Sequence, residues 1–201
     1  MYEVLSCCVS FWLTYLLVGY FLDDEKNSVA VRNLDRFDLY KNLFINMVLT
    51  FLITPLTNCI PTLIMVPDGI IGYLIRITLA TLMADIWLYI THRLLHYPFY
   101  RFHKQHHIYT NPHALAGLYA HPIEFIFSNH LSMIIPLKLI SNHSLIMVEA
   151  AFVAIDILYS HVGKDSNHPS AKYHNLHHEQ QNCNYSFAYI SDIVMGTYRE
   201  K

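Results

Sequence analysis

The chain has 201 residues, 54% hydrophobic and only 14% charged, with a formal net charge of −2 and a mean hydropathy of +0.28. Soluble domains run nearer a quarter charged, so the composition points to a membrane protein and excludes a basic nucleic-acid-binding surface. The four cysteines (Cys7, Cys8, Cys59, Cys183) form no C-x-x-C pair and no regular spacing, so neither a thiolate metal site nor a disulfide framework is indicated, and Cys7 and Cys8 read as apolar filler of a membrane helix, with palmitoylation as the alternative.

Residues 4–22 form an apolar run close to the ~20 residues a bilayer requires. It ends at Asp23, Asp24 and Glu25, and no basic segment precedes it, so a cleaved signal peptide is not expected. A polar stretch, 26–41, carries Lys26, Arg32, Arg36 and Lys41. The second apolar stretch, 43–66, is interrupted by Pro55, Asn58 and Pro61 and should kink or be partly re-entrant. Val66, Pro67, Asp68 and Gly69 then read as a turn. A third apolar stretch, 70–90, leads directly into His92. Two more occupy 123–140 and 145–159, the first weakened by Glu124, Asn129 and His130, and a polar tail begins at His161. With these as spans, the regions 26–41, 93–122 and 161–201 share one side and hold every Lys and Arg except Arg76 and Lys138. The positive-inside tendency puts that side in the cytosol.

All the clustered histidines emerge on that same side. Residues 92–107 read HRLLHYPFYRFHKQHH, giving His92 and His96 as H-x-x-x-H and His103, His106 and His107 as H-x-x-H-H. The second spacing recurs in His174, His177 and His178. On a helix, positions i, i+3 and i+4 share a face, so each group is expected to aim its imidazoles at one point. Pro98 should divide the first stretch into two helical pieces, one ending a span and one starting a cap. Eight or nine histidines exceed what one ion takes and fit two ions with open positions. All-nitrogen ligation points to redox-active iron and oxygen chemistry, although zinc or copper suits the same donors. His161, following the fifth stretch, is placed near the other groups. The isolated His113, His130, His143 and His168 are read as ordinary polar residues at a membrane boundary. Asp85 lies two helical turns before His92 and is expected to orient a ligand histidine, the alternative being a structural charge paired with Arg76. Glu124 and Asp156 are weaker candidates for the same duty. A non-enzymatic metal handler would instead line the middle of its spans with ligands, whereas these groups stand at span ends.

Together these segments resemble the fatty acid hydroxylase/sterol desaturase superfamily of membrane di-iron enzymes. The resemblance covers about 85–199 and rests on HRLLH (92–96), HKQHH (103–107), AGLYAHPIE (116–124), HVGKD (161–165), YHNLHH (173–178), NCNY (182–185) and GTYR (196–199). HRLLH and AHPIE resemble sterol 4-methyl oxidases, NCNY is similar to cholesterol 25-hydroxylase, and GTYR is similar to C-5 sterol desaturases. Lys164 and Ser191 depart from the family's aromatic residues at those places, which puts the particular substrate in question more than the chemistry. The resemblance implies an all-α integral membrane bundle, a four-helix stem plus the N-terminal span, under a cytosolic histidine-rich di-metal cap. It divides the chain into an N-terminal span and loop (1–42) and a catalytic unit (43–201). It implies as ligands of two irons His92, His96, His103, His106, His107, His161, His174, His177 and His178, with His121 and Asp85 as further cofactor-binding residues. It also implies O2, electrons from NAD(P)H through a reductase or cytochrome b5, a sterol or acyl-lipid substrate, and the endoplasmic reticulum as location.

Overall fold

A computed structural model describes residues 2–22, 36–109, 113–141, 145–163 and 166–200. His143 and Lys164 lie outside the described residues. Among those described, the secondary structure is helical apart from one isolated bridge between Ile64 and Ile140.

Helix α1 (Tyr2–Leu22) buries Val4, Cys7, Cys8, Phe11, Trp12, Tyr15 and Gly19, the three- and four-residue spacing of a single helix face. That face packs along α7 (Ile146–Ser160). Gly19 permits the approach, since a Cβ there would stand 3.0 Å from Leu158 Cδ2 of α7 and 2.4 Å from Leu115 Cδ2 in the turn beside it. Helix α2 (Arg36–Ile53) buries Leu39, Leu43, Asn46 and Thr50 on one face and passes into a 3-10 turn, Thr54–Cys59. Pro55 and Pro61 account for this change, because proline lacks a backbone donor and disfavours helix in the residue before it. The second span therefore runs Arg36–Cys59 and not 43–66. Residue 42 lies within α2, and α1 shares a buried core with α2, α7 and the helix Leu131–Leu139.

Helix α3 (Gly69–His96) has 28 residues. It stops before Pro98, and the short α4 (Tyr100–His103) follows, which is the expected division of the histidine stretch. Among the described residues, three helices are long and apolar enough to cross a membrane: Tyr2–Leu22, Arg36–Cys59 and Gly69–His96. This makes the chain a multi-pass membrane protein. The fourth and fifth expected stretches are helical at nearly the expected residues, but neither gives an unbroken helix of spanning length. Residues 122–139 form α5 (Pro122–Glu124), a π-helical turn (Phe125–His130) and α6 (Leu131–Leu139), while α7 has 15 residues. At 1.5 Å per residue α7 is about 22 Å long, less than a ~30 Å hydrocarbon core.

Polar side chains of α1 and α2 hold the segment that carries the cap. Tyr15 Oη donates to the Leu115 carbonyl (3.1 Å) and accepts from the Leu118 amide (2.9 Å). Asn46 donates to the carbonyls of Leu118 (3.1 Å) and Ala120 (3.2 Å), and Asn42 accepts from the Ala120 amide (3.1 Å). These bonds satisfy backbone groups that a buried 3-10 turn (Ala114–Leu118) leaves open. The chain closes with α8 (Pro169–Gln180) and α9 (Ile190–Val194).

Candidate metal centre

Nine histidines converge in two groups. His92, His96, His103, His107 and His177 form one; His106, His161, His174 and His178 form the other, and within each group the ligand nitrogens all lie within 4.8 Å of one another. Each comes from a helix end or the turn beside it: the last turn of α3, the end of α4, the 3-10 turn His106–Ile108, the residue closing α7, and α8.

The H-x-x-H-H motifs do not aim at one point, as the spacing suggested. Each divides between the groups. His103 and His107 enter the first group and His106 the second, whereas His174 and His178 enter the second and His177 the first. On α8 the reason is angular: adjacent residues stand about 100° apart, so His177 and His178 cannot face the same centre. In the first motif, α4 ends at His103 and a separate turn begins at His106, which frees that ring to point elsewhere. Each motif thus ties the two centres together.

The spacings fit metal ligation. In the first group the Nε2–Nε2 distances are 3.0 Å (His92–His103), 3.1 Å (His96–His103), 3.1 Å (His96–His177), 3.2 Å (His96–His107) and 2.9 Å (His103–His107). In the second, His174 and His178 stand 3.0 Å apart. Two nitrogens about 2.1 Å from one ion and at right angles to each other are about 3.0 Å apart. Hydrogen bonding cannot satisfy such a set, because a neutral imidazole has one donor and one acceptor.

The outer nitrogens settle which tautomer faces inward. His92 Nδ1–H donates to the Tyr185 carbonyl (2.8 Å), His177 Nδ1–H to the Cys183 carbonyl (2.7 Å) and His161 Nδ1–H to the Ile157 carbonyl (2.8 Å). His103 Nδ1–H meets Glu124 Oε1 at 2.8 Å. Each leaves Nε2 unprotonated toward its group, the arrangement that orients ligand histidines. His161 Nε2 is buried without a protein partner, a donor awaiting an acceptor of electrons. Burial first, and then the neighbouring imidazoles, push the pKa of His106, His174, His177 and His178 well below the ordinary histidine value. Burial likewise brings His107 down to about 3 and His161 to about 4. At neutral pH these rings are uncharged and competent to bind metal.

Several expectations change. Asp85 is fully buried, yet its carboxylate accepts the Ala188 and Ser191 amides, both at 2.8 Å, and does not take up a histidine or Arg76. The seven-residue spacing does place it on the His92 side of α3, but the C-terminal segment lies between. Arg76 pairs with Glu149. His121 stays outside both groups; its Nδ1 accepts from the Ile123 amide (3.2 Å) and caps α5. Of the carboxylates considered, Glu124 holds a ligand ring, and Asp156 accepts from Ser170 (3.3 Å). His130 contacts Thr54 (3.3 Å) and His168 stacks on Tyr159. The carbonyls of Cys183 and Tyr185 escape sequence reasoning altogether, although the NCNY segment that carries them was visible. Asp192 organises that segment: it accepts from the Tyr185 amide (2.9 Å), the Ser186 amide (2.7 Å) and Tyr173 Oη (2.6 Å). Burial opposes its charge, yet these bonds and Thr197 hold its pKa below the usual carboxylate value.

Beneath the histidines lies a cavity of about 540 Å³, lined mostly by apolar residues of α3, α6, α7 and the segment before α9. Its upper wall reaches Leu88 and Ile157, one helical turn short of His92 and His161. Gly117 allows the loop to approach His161, as a Cβ would stand 3.0 Å from His161 Nδ1.

The family profile described as fatty acid hydroxylase matches residues 77–197, a span that contains all nine histidines. The human "fatty acid hydroxylase domain-containing protein 2" is 37% identical over 129 residues, covering 62% of this chain and 39% of that protein. A "fatty acid hydroxylase" of Mycosarcoma maydis is 36% identical over 122 residues, covering 58% of this chain and 31% of the relative. A "C-4 methylsterol oxidase" of Schizosaccharomyces pombe is 47% identical over 64 residues, 31% of this chain and 21% of the relative. The chain thus spans well under half the length of these relatives. No solved structure matches it. With the profile covering more than half of the chain and both H-x-x-H-H motifs, the protein belongs to the fatty acid hydroxylase family of oxidoreductases.

Proposed function

We propose that this protein is a di-iron membrane oxygenase that hydroxylates or desaturates a C–H bond of a membrane lipid. The observation that carries the reading is the pair of interlocked histidine groups directly above a large apolar cavity. The five histidines of the first group would hold one iron and the four of the second the other. When bound, the metal pair supplies dioxygen activation and cleavage of an unactivated C–H bond.

This chain's own residues do the rest. The carbonyls of Tyr185, Cys183 and Ile157 and the carboxylate of Glu124 keep the imidazoles turned inward. Burial keeps the rings neutral and limits water at the centre. The cavity walls bring an apolar chain up from the bilayer toward His92 and His161 and hold its reacting carbon near the centre. Asp85 and Asp192 brace the C-terminal segment that forms one wall and supplies two of the carbonyls.

A sterol is the first substrate class, in keeping with the methylsterol oxidase relative, and an acyl or sphingoid lipid the second, in keeping with the fatty acid hydroxylase relative. Electrons would come from NAD(P)H through a reductase or cytochrome b5. The basic loops favour a cytosol-facing site in the endoplasmic reticulum. Expression in yeast strains each lacking one sterol oxidase or desaturase tests the reading. Restoration of the missing sterol in one strain, lost with His106→Ala, is expected. If no strain changes its sterols or acyl lipids, and the purified reduced protein consumes no oxygen with iron bound, the proposal fails.

A further inference from the structure

We infer that residues 187–195, the C-terminal loop that carries α9, are inserted in the bilayer on the histidine side, and that the partner of their exposed apolar face is the acyl chains of membrane lipid. The inference stands apart from the oxidase reading.

The side chains of this loop are sorted the wrong way for water. Ser191 and Asp192 are buried, whereas Phe187, Ile190, Ile193, Val194 and Met195 are exposed. Ile193 is 62% and Val194 76% exposed, and residues 187–195 include no Lys, Arg or Glu. A lone exposed Ile or Val is ordinary in water, but an apolar face with its polar groups turned inward marks a contact surface.

Depth identifies the contact. The apolar stretch 70–90 of α3 is about 31 Å long, the thickness of a ~30 Å hydrocarbon core. Thr91, His92 and Arg93 follow, so Ile90 stands at the edge of that core. Asp85 precedes Ile90 by five residues and lies about 8 Å inside the edge. Its carboxylate accepts the Ala188 and Ser191 amides at 2.8 Å, which places both amides at the same depth. Interfacial helices bury their apolar faces to about 5–10 Å. The loop also continues the surface of a spanning helix. Ile86 and Ile90 of α3 are exposed, and each adjoins a residue that holds the loop: Asp85, and Tyr89, whose Oη accepts from Thr197 (3.4 Å).

Hydrocarbon tolerates irregular backbone only where its polar groups are satisfied within the protein. The Tyr185 and Ser186 amides donate to Asp192 and those of Ala188 and Ser191 to Asp85. The Ile193 amide donates to the Tyr189 carbonyl and that of Met195 to the Ser191 carbonyl, both at 2.9 Å. Asn184 closes the stem: its amide donates to the Thr197 carbonyl (3.1 Å) and its Nδ2 to the Arg199 carbonyl (3.0 Å). The chain thus dips into the membrane and returns to the exposed Arg199 and Glu200. Hydropathy misses the loop because it is far shorter than a span. Phe187 and, on α7, Phe152 line the cavity and are also exposed, so the cavity comes to the surface beside the loop.

The test uses the full chain in phosphatidylcholine nanodiscs. Cys7, Cys8 and Cys183 are buried, so Cys59→Ser leaves an added cysteine as the site for a nitrobenzoxadiazole label. Val194→Cys is compared with Lys172→Cys, an exposed position on α8. At position 194 the label is expected to emit at shorter wavelength, to resist quenching by iodide, and to be quenched more by a nitroxide near the head of the lipid acyl chain than by one at its tip. At position 172 iodide should quench it. Equal iodide quenching at the two positions would place the loop in water and overturn the inference. Protection from iodide without nitroxide quenching, or protection confined to discs holding two copies, would assign the face to a protein partner or a second copy and overturn it too. Retained metal content shows that each labelled protein is folded. Separately, Val194→Asp should lower the unfolding temperature in the discs and Val194→Leu should not; equal stability of the two counts against the inference.

Discussion

A single ring of the centre depends on groups distant in sequence. His103 is held by Glu124, 21 residues on, and His92 by a carbonyl 93 residues on. Glu124→Gln preserves the size of the side chain but removes its charge. Metal affinity is expected to fall about 10–100-fold, read by competition titration with a chelator, with little change in helix content. Unchanged affinity would show that the Glu124 contact does not tune the ring. Eight of the nine ligand candidates stand out in the sequence because imidazoles at three- and four-residue spacing have few other uses, and His161 stands out by its place after the fifth stretch. Their partition between two centres was not, since it depends on where α4 stops and on the angle between His177 and His178. That Glu124 and not Asp85 bonds a ring of the groups was hidden for a related reason: helical spacing ranks residues on one helix and ignores a segment that folds in between.

At the scale of elements, the C-terminal segment acts as a brace against α3. Asp85 binds the amides of Ala188 and Ser191, and α9 packs on α3 beside it. Asp85→Ala would leave the buried Ser191 amide and the part-buried Ala188 amide unpaired, the first worth about 1–3 kcal/mol. A clear drop in thermal unfolding temperature is expected, together with weaker metal retention, because the segment also presents the Tyr185 and Cys183 carbonyls. Loss of stability with full metal retention would confine Asp85 to a structural role. Spans one and three were readable from hydropathy. The second was displaced toward the N-terminus by Pro55 and Pro61, and the fourth, helical over its expected length, is interrupted at the π-helical turn, which hydropathy does not register.

Over the whole molecule, the buried imidazoles couple folding to pH. Their folded pKa values lie below the unfolded value of about 6.5, at about 4 for His161 and about 3 for His107, so the unfolded chain binds more protons in that range. Stability of the metal-free protein should be complete above about pH 6.5 and fall as the pH drops toward 4, by up to about 1.4 kcal/mol per pH unit for each such group. Denaturation midpoints measured from pH 8 to 5 check this, and a flat profile would contradict it. Metal should raise the unfolding temperature and steepen the acid dependence, because ligation requires the same neutral rings.

By itself, the sequence determined that this is a membrane protein with a histidine metal centre at the ends of its helices. Those properties follow from composition and from local spacing, which the chain carries whatever its tertiary arrangement. Only the tertiary structure decided how the histidines divide, which carbonyls and which carboxylate hold them, and that Arg76 and Glu149 meet across the bundle. Each of these joins residues far apart in the chain, through backbone groups or buried charges whose partners are chosen by packing and not by their neighbours in sequence.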